Sequence, residues 1–142
     1  MLNRFKASDF LDYQSWFEDP LLDARLGPMD TEWLDCVLSE EDGAQYVYRE
    51  SNEMLAVIGL KWATESHPMH VITDIAVRPS RKGEGIGRKA LTAIINANRQ
   101  QPIKQWAAYV ESNNVEAHHF FTALGWERGE EKEEMVLRRL TV

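Results

Sequence analysis

The sequence predicts a single α/β domain built on a mixed sheet with helices on its faces, and three features point to it. Two runs rich in β-branched, aromatic and aliphatic residues, Ala44 to Arg49 and Met54 to Trp62, flank the turn-like Glu50-Ser51-Asn52-Glu53 and read as a hairpin. After them, strand, helix, strand, helix and strand patterns alternate, the order that lays helices against a sheet. Within that series a strand, His70 to Val77, runs directly into a basic, glycine-rich segment and then into an amphipathic helix.

The other elements follow in chain order. Leu2 to Phe5 fits a first strand, and Ser8 fits the N-cap of a helix carrying Phe10, Leu11, Tyr13, Trp16 and Phe17 that ends before Pro20. A loop with Gly27 and Pro28 leads to a second helix, capped by Asp30 or Thr31, through Trp33, Leu34, Val37 and Leu38, with its end near Gly43. Ile86, Ala90, Leu91, Ile94 and Ile95 recur at helical spacing behind the glycine-rich segment. Ile103 to Val110 is apolar apart from Lys104 and Gln105, as expected of a strand buried on both faces beside the fourth strand. Ala117, Phe120, Phe121 and Leu124 define a helix face closed by Gly125, and Met135 to Leu140 supplies a last strand.

The chain's 142 residues suit one domain with a real core. No run approaches the roughly 20 apolar residues of a membrane span, and Met1 to Phe10 lacks the apolar centre of a signal peptide, so a soluble cytoplasmic protein is the expectation. Cys36 is the only cysteine, which excludes an intrachain disulfide and a cysteine-based zinc site; it reads as a small buried side chain on a helix. His118 and His119, adjacent on a helix, face different directions and read as surface residues rather than a metal pair, and no metal is expected. The five tryptophans read mainly as core.

A net charge of -7 argues against a broad nucleic-acid surface. Yet five of the 16 basic residues, Arg78, Arg81, Lys82, Arg88 and Lys89, fall within twelve positions, so an anion is expected there. In Arg81-Lys82-Gly83-Glu84-Gly85-Ile86-Gly87-Arg88, alternating glycines sit where strand becomes helix, and backbone amides without Cβ shielding can cradle a phosphate. The helix N-terminus adds unpaired N–H groups and partial positive charge. The spacing is not the Gly-x-Gly-x-x-Gly of a dinucleotide fold, and Arg88 after Gly87 does not continue a Walker loop.

These residues resemble the GNAT superfamily of acyl-CoA-dependent N-acyltransferases. Its signature, Arg/Gln-x-x-Gly-x-Gly/Ala between strand and helix, is matched by Lys82-Gly83-Glu84-Gly85-Ile86-Gly87 with Lys in the first position, and Asp74 to Pro79 looks like the family's fourth strand and its exit. Asn114-x-x-Ala117-x-x-Phe120-Phe121-x-x-Leu124-Gly125-Trp126 resembles the second motif, with Phe121 where the family has tyrosine. The resemblance covers roughly residues 44 to 140 and fits the N-terminal third only in outline.

The resemblance implies a mixed, mostly antiparallel sheet of six to seven strands with about four helices, the fourth and fifth strands splayed around acyl-CoA. It implies that Ile75, Ala76 and Val77 hold the pantetheine and thioester, that Gly83 to Gly87 (with Glu84 and Ile86 between the glycines), Lys82 and Arg88 hold the phosphates, and that Asn114 and Phe121 border the pantetheine. Asn114 reads equally as a helix N-cap. The implied reaction is attack by an amine on acetyl-CoA, for which a base is required because a Lys-like amine is mostly protonated at neutral pH. Asp74 is the first candidate, followed by Glu111, His70 and Glu65. A tyrosine restored at Phe121 would raise turnover if that ring faces the thioester. Acids in the variable region, Asp19, Asp23, Asp30, Glu32, Glu40, Glu41 and Asp42, would favour a cationic acceptor. No nucleic acid or membrane partner is expected, and the chain would act as a monomer or homodimer. A turnover-deficient acyl-CoA-binding module is the alternative; a protein binding ATP or NAD at the glycine turn is disfavoured by spacing.

Overall fold

The computed structural model describes residues 1–100 and 102–142. Seven strands form one sheet: β1 (Leu2–Arg4), β2 (Gly43–Glu50), β3 (Glu53–Lys61), β4 (His70–Val77), β5 (Gln105–Glu111), β6 (Glu127–Lys132) and β7 (Met135–Thr141), in the spatial order β1-β2-β3-β4-β5-β7-β6. Every neighbouring pair is antiparallel except β4 with β5, which are parallel. Among the described residues five α-helices complete the domain: α1 (Phe10–Ser15), α2 (Pro20–Leu26), α3 (Thr31–Ser39), α4 (Ile86–Ala97) and α5 (Val115–Ala123). The expected mixed, mostly antiparallel sheet is therefore observed, with one helix more than the four expected. No helix among the described residues is long and apolar enough to cross a membrane.

The β2–β3 hairpin forms because Ser51 and Asn52 both take positive φ, the pair of left-handed residues whose twist matches flanking strands. On one sheet face α4 buries Ile86, Ala90, Leu91, Ile94 and Ile95, and with Phe121 and Trp126 they pack on Trp106, Ala108 and Val110 of β5. On the other face Phe10, Tyr13 and Trp16 pack with Phe5 and Met29 over Val47, Val57 and Ala76 of β2, β3 and β4. Parity then assigns the sides: Gln45, Gly59, Asp74 and Ala76 share the α1–α3 face, and so do Ala107, Tyr109 and Glu111.

Some expectations need correction. The first helix is not capped by Ser8; it is preceded by a short 3-10 turn, Ala7–Asp9, at whose start the Lys6 N–H donates to Asp9. Pro20 does not open a loop but sits at the first position of α2, where Asp19 accepts from the N–H groups of Leu21 and Leu22 at 3.0 and 3.1 Å. Asp30 caps α3 as expected. Cys36 lies on α3 but is exposed. His118 is buried, not on the surface, with Nε2 3.0 Å from the Glu111 carbonyl. β5 is not buried on both faces throughout: on the α1–α3 face Ala107 is buried but Gln105, Tyr109 and Glu111 are exposed, because the N-terminal helices pack over β2–β4.

Candidate active site

The parallel pairing of β4 with β5 is short. His70, Val71 and Ile72 pair with Trp106, Ala107 and Ala108, and there the ladder ends, although β4 continues to Val77 and β5 to Glu111. A register shift opposite Gly59 and Leu60 skips Thr73, so β4 bulges just where it leaves β5. Over residues 73–77 the edge of β4 that faces β5 therefore has no strand partner among the described residues; Ala76 is turned toward β3, in step with the Arg78 N–H that donates to the Leu55 carbonyl, so the open backbone groups are those of Ile75 and Val77. Counting on from the Ile72–Ala108 pair past the bulge at Thr73 places Glu111 level with Ala76, on the same α1–α3 face.

This open edge leads into the glycine turn. Gly83 and Gly85 have φ of 81° and 76°, and a Cβ at either would meet nothing within 4 Å, so both glycines serve conformation and open approach rather than packing. Gly87 differs: a Cβ there would come within 3.0 Å of Phe120, so it lets α4 and α5 approach. Gly85 is the N-cap of α4 and supplies no side-chain acceptor to the first-turn N–H groups, which stay available to an anion. Glu84 and Ile86 separate the glycines, Glu84 exposed and Ile86 in the core.

The five cations divide sharply. Arg78 donates to Asp12 and to the Met54 carbonyl at 2.6 and 2.8 Å and lies 5.0 Å from the Trp16 ring centroid, so it clamps α1 to the sheet. Arg81 pairs with Glu53 and Glu84, and Lys89 with Glu50. Among the described residues Lys82 and Arg88 have no ion pair, and both are exposed.

Asp74 does not face the gap. Its Oδ2 accepts from Gln45 Nε2 on β2 at 2.6 Å and its Oδ1 from the Thr73 hydroxyl at 2.8 Å, so the carboxylate leans across β3, away from β5. Gly59 permits this: a Cβ there would overlap Asp74 Oδ1 and Thr73 Oγ1 and come within 2.8 Å of Gln45 Oε1. Burial holds the Asp74 carboxyl above the usual range against the lowering effect of both hydrogen bonds. Tyr13 above it is pushed far up, by burial first and by the Asp74 charge second. Because the folded-state value exceeds the unfolded one, Asp74 costs stability as pH rises from the ordinary carboxylate range through the raised value, and costs nothing below it. Asp74→Asn should therefore leave Tm unchanged in acid and raise it near neutral pH, as checked by melting curves across that range.

The other candidates are spread apart. Glu111 is half exposed on the α1–α3 face at the open end of β5, with Oε1 3.5 Å from Arg25 Nη1 of α2. His70 is 2% exposed on the opposite face, its Nδ1 accepting from the Ala63 N–H and its ring edge-on to Trp62 and Trp106, so it is core and does not reach the gap. Glu65 lies exposed in the β3–β4 loop. Asn114 caps α5, its side chain accepting from Ala117 N–H at 3.2 Å. Phe121 is 5% exposed, packed on Phe120 and Trp126. Sequence reasoning misses Gln45, Thr73 and Gly59, since their convergence depends on the β2–β3–β4 register, and Arg25, since the segment that forms α2 reads as a loop.

Comparison with known proteins agrees with this geometry. The profile of the Acetyltransferase (GNAT) family matches residues 10–126. An acetyltransferase from Thermus thermophilus superposes with a TM-score of 0.86 at 16% identity, covering 100% of this chain and 96% of its own. The PaiA N-acetyltransferase from Thermoplasma acidophilum, solved with coenzyme A, gives 0.81 at 12% identity over 100% and 98%. The ribosomal-protein-S18-alanine N-acetyltransferase from Escherichia coli gives 0.76 at 14% over 100% and 93%. No curated protein matches by sequence. With a parted β4–β5 pair, an uncapped glycine turn and a family profile spanning most of its length, the chain belongs to the GNAT acetyltransferase family.

Proposed function

We propose that this chain transfers an acetyl group from acetyl-CoA to a primary amine, by direct attack of the amine in a ternary complex. The observation that carries the reading is the continuity of the unpaired β4 edge with the left-handed Gly83–Gly85 turn and the uncapped N-terminus of α4. Acetyl-CoA supplies an activated thioester. The α4 amides, Lys82 and Arg88 hold its phosphates, and the β4 edge at Ile75 and Val77 takes hydrogen bonds along the pantetheine arm. A backbone N–H on that edge can stabilise the oxyanion. Glu111, level with Ala76 and open to solvent, takes the proton that the amine must lose, directly or through one water. The test is release of free CoA thiol from acetyl-CoA across a panel of primary amines. Binding of acetyl-CoA without turnover of any amine would favour the non-catalytic alternative, and absence of binding would defeat both.

Phe121 enters this scheme as core rather than as a stand-in for a proton donor. Phe121→Tyr would place a hydroxyl in the core beside the Phe120 and Trp126 rings, where leaving it unpaired costs about 1–3 kcal/mol. The expected result is a lower Tm with kcat flat or reduced, read by calorimetry and steady-state kinetics. A rise in kcat would show that the ring faces the thioester.

A further inference from the structure

A second candidate site lies at the end of β5 away from Glu111. The helices α1–α3 pack over β2–β4, and on the same face of the sheet Gln105, Glu127, Arg139 and Thr141, from β5, β6 and β7, are exposed. Two depressions adjoin there. The larger, about 600 Å³, is walled mainly by Pro68 and Met69 ahead of β4, Pro102 and Ile103 ahead of β5, and Leu137. The smaller, about 220 Å³, is polar and lined by Gln105, Glu127, Arg139 and Thr141. Gln105 and Arg139 border both. At about 3.3 Å per strand residue, the path along β5 from Gln105 to Glu111 puts this site about 20 Å from the proposed base.

Glu127 and Arg139 stand directly opposite in the β6–β7 register, where opposite charges ordinarily interact, yet neither side chain has an ion pair or hydrogen bond among the described residues. One offers only acceptors and the other only donors, and the Gln105 amide and Thr141 hydroxyl can do either. A carboxylate and an ammonium on one carbon complement that set, as in a free α-amino acid. The adjoining depression is walled by apolar residues, so burying an apolar side chain there adds to the attraction. Adjacent strands are about 4.8 Å apart, so a head group between β6 and β7 lies about 7 Å from the space over β5, a span that suits a phenylalanine side chain and exceeds that of alanine. We infer that the two depressions together bind a free α-amino acid with a large apolar side chain, its carboxylate on Arg139, its ammonium on Glu127 and its side chain toward Met69, Ile103 and Leu137. The nitrogen so held is too far from the β4–β5 gap to receive an acetyl group, and the inference does not depend on the acetyl-transfer reading.

The test is an NMR titration of the isotope-labelled full chain. Because the charges at this site are exposed, affinity should be modest, with a Kd for L-phenylalanine of about 1 mM. Saturable shifts are expected at the amides of Gln105, Glu127, Arg139 and Thr141 and not at Gly83 to Gly87. L-alanine, 3-phenylpropanoate and 2-phenylethylamine, which lack the large side chain, the ammonium and the carboxylate in turn, should each bind at least about threefold more weakly. Glu127→Gln should erase the preference for L-phenylalanine over 3-phenylpropanoate, and Arg139→Gln the preference over 2-phenylethylamine; both positions are exposed, so the fold should survive. No saturable shift at these amides, or a preference that persists in its variant, overturns the inference. So does a shift pattern centred on Gly83 to Gly87 and the open end of β5, which would make the amino acid a ligand of the acetyl-transfer site.

Discussion

Gly85→Val should abolish the stabilisation of this protein by acetyl-CoA while leaving it folded. The two halves of that expectation have separate causes. At φ of 76° a β-branched residue is strained by roughly 1–2 kcal/mol, which lowers Tm of the free protein modestly. No atom lies within 4 Å of the new Cβ, so no packing is lost and the native state survives. The ligand fares differently. A valine side chain would stand in the open space over the α4 N-terminus, where phosphate oxygens must come within hydrogen-bond distance of the amides. A ligand at one hundred times its Kd stabilises the native state by about 2.7 kcal/mol, several degrees of Tm for a chain of this size. The wild type should show that shift with acetyl-CoA and the Gly85→Val protein should not. An unchanged shift in the folded variant would remove the phosphates from this turn. Lys82→Ala and Arg88→Ala should weaken binding in a salt-dependent way, because their charges act through solvent.

Much of this site is legible in the sequence, and the reason is local. The turn is encoded by glycines, two of which take the left-handed backbone, and it lies between a β-branched apolar run, which forms β4, and a helical pattern, which forms α4. What escapes such a reading is non-local or lacks a signal. β6, Glu127–Lys132, has no apolar residue, and its turn into β7 uses Glu133 and Glu134 at positive φ where asparagine or glycine would have announced a hairpin. α2 does carry a signal, Asp19 followed by Pro20, which marks a helix start as readily as a stop. The direction of Asp74 depends on a bulge at Thr73 and on the absence of a side chain at Gly59, one strand away. Neither can be inferred from the neighbours of Asp74 in the chain. The division of the five cations between clamps and free charges likewise depends on Asp12, Glu50 and Glu53, brought near by folding.

Glu111→Gln should lower kcat by about 10²–10⁴, the usual contribution of a positioned acid or base, with acetyl-CoA affinity nearly unchanged. Position argues for this residue over its rivals. Asp74 leans over β3, His70 is enclosed by Trp62 and Trp106, and Glu65 lies in a remote loop, whereas Glu111 stands at the open end of β5 on the face that an acceptor can reach. Its pairing with Arg25 is long, at 3.5 Å, and both side chains are partly in water, so the pair contributes little to stability and can open when an amine enters. Glutamine keeps the size and can still accept one hydrogen bond but cannot hold the proton. The folded state should accordingly keep its Tm within a degree or two, since surface changes of this kind fall within about 0.5 kcal/mol. Rate should respond instead, and most at lower pH, where nearly all of the amine carries a proton that must be removed. As pH rises toward the amine's own pKa of about 10.4, free amine becomes abundant and the deficit of the variant should shrink. Steady-state kcat of wild type and variant across that range measures this directly. A deficit that stays constant with pH would assign Glu111 to acceptor binding, and a kcat within about threefold of wild type throughout would pass proton removal to water.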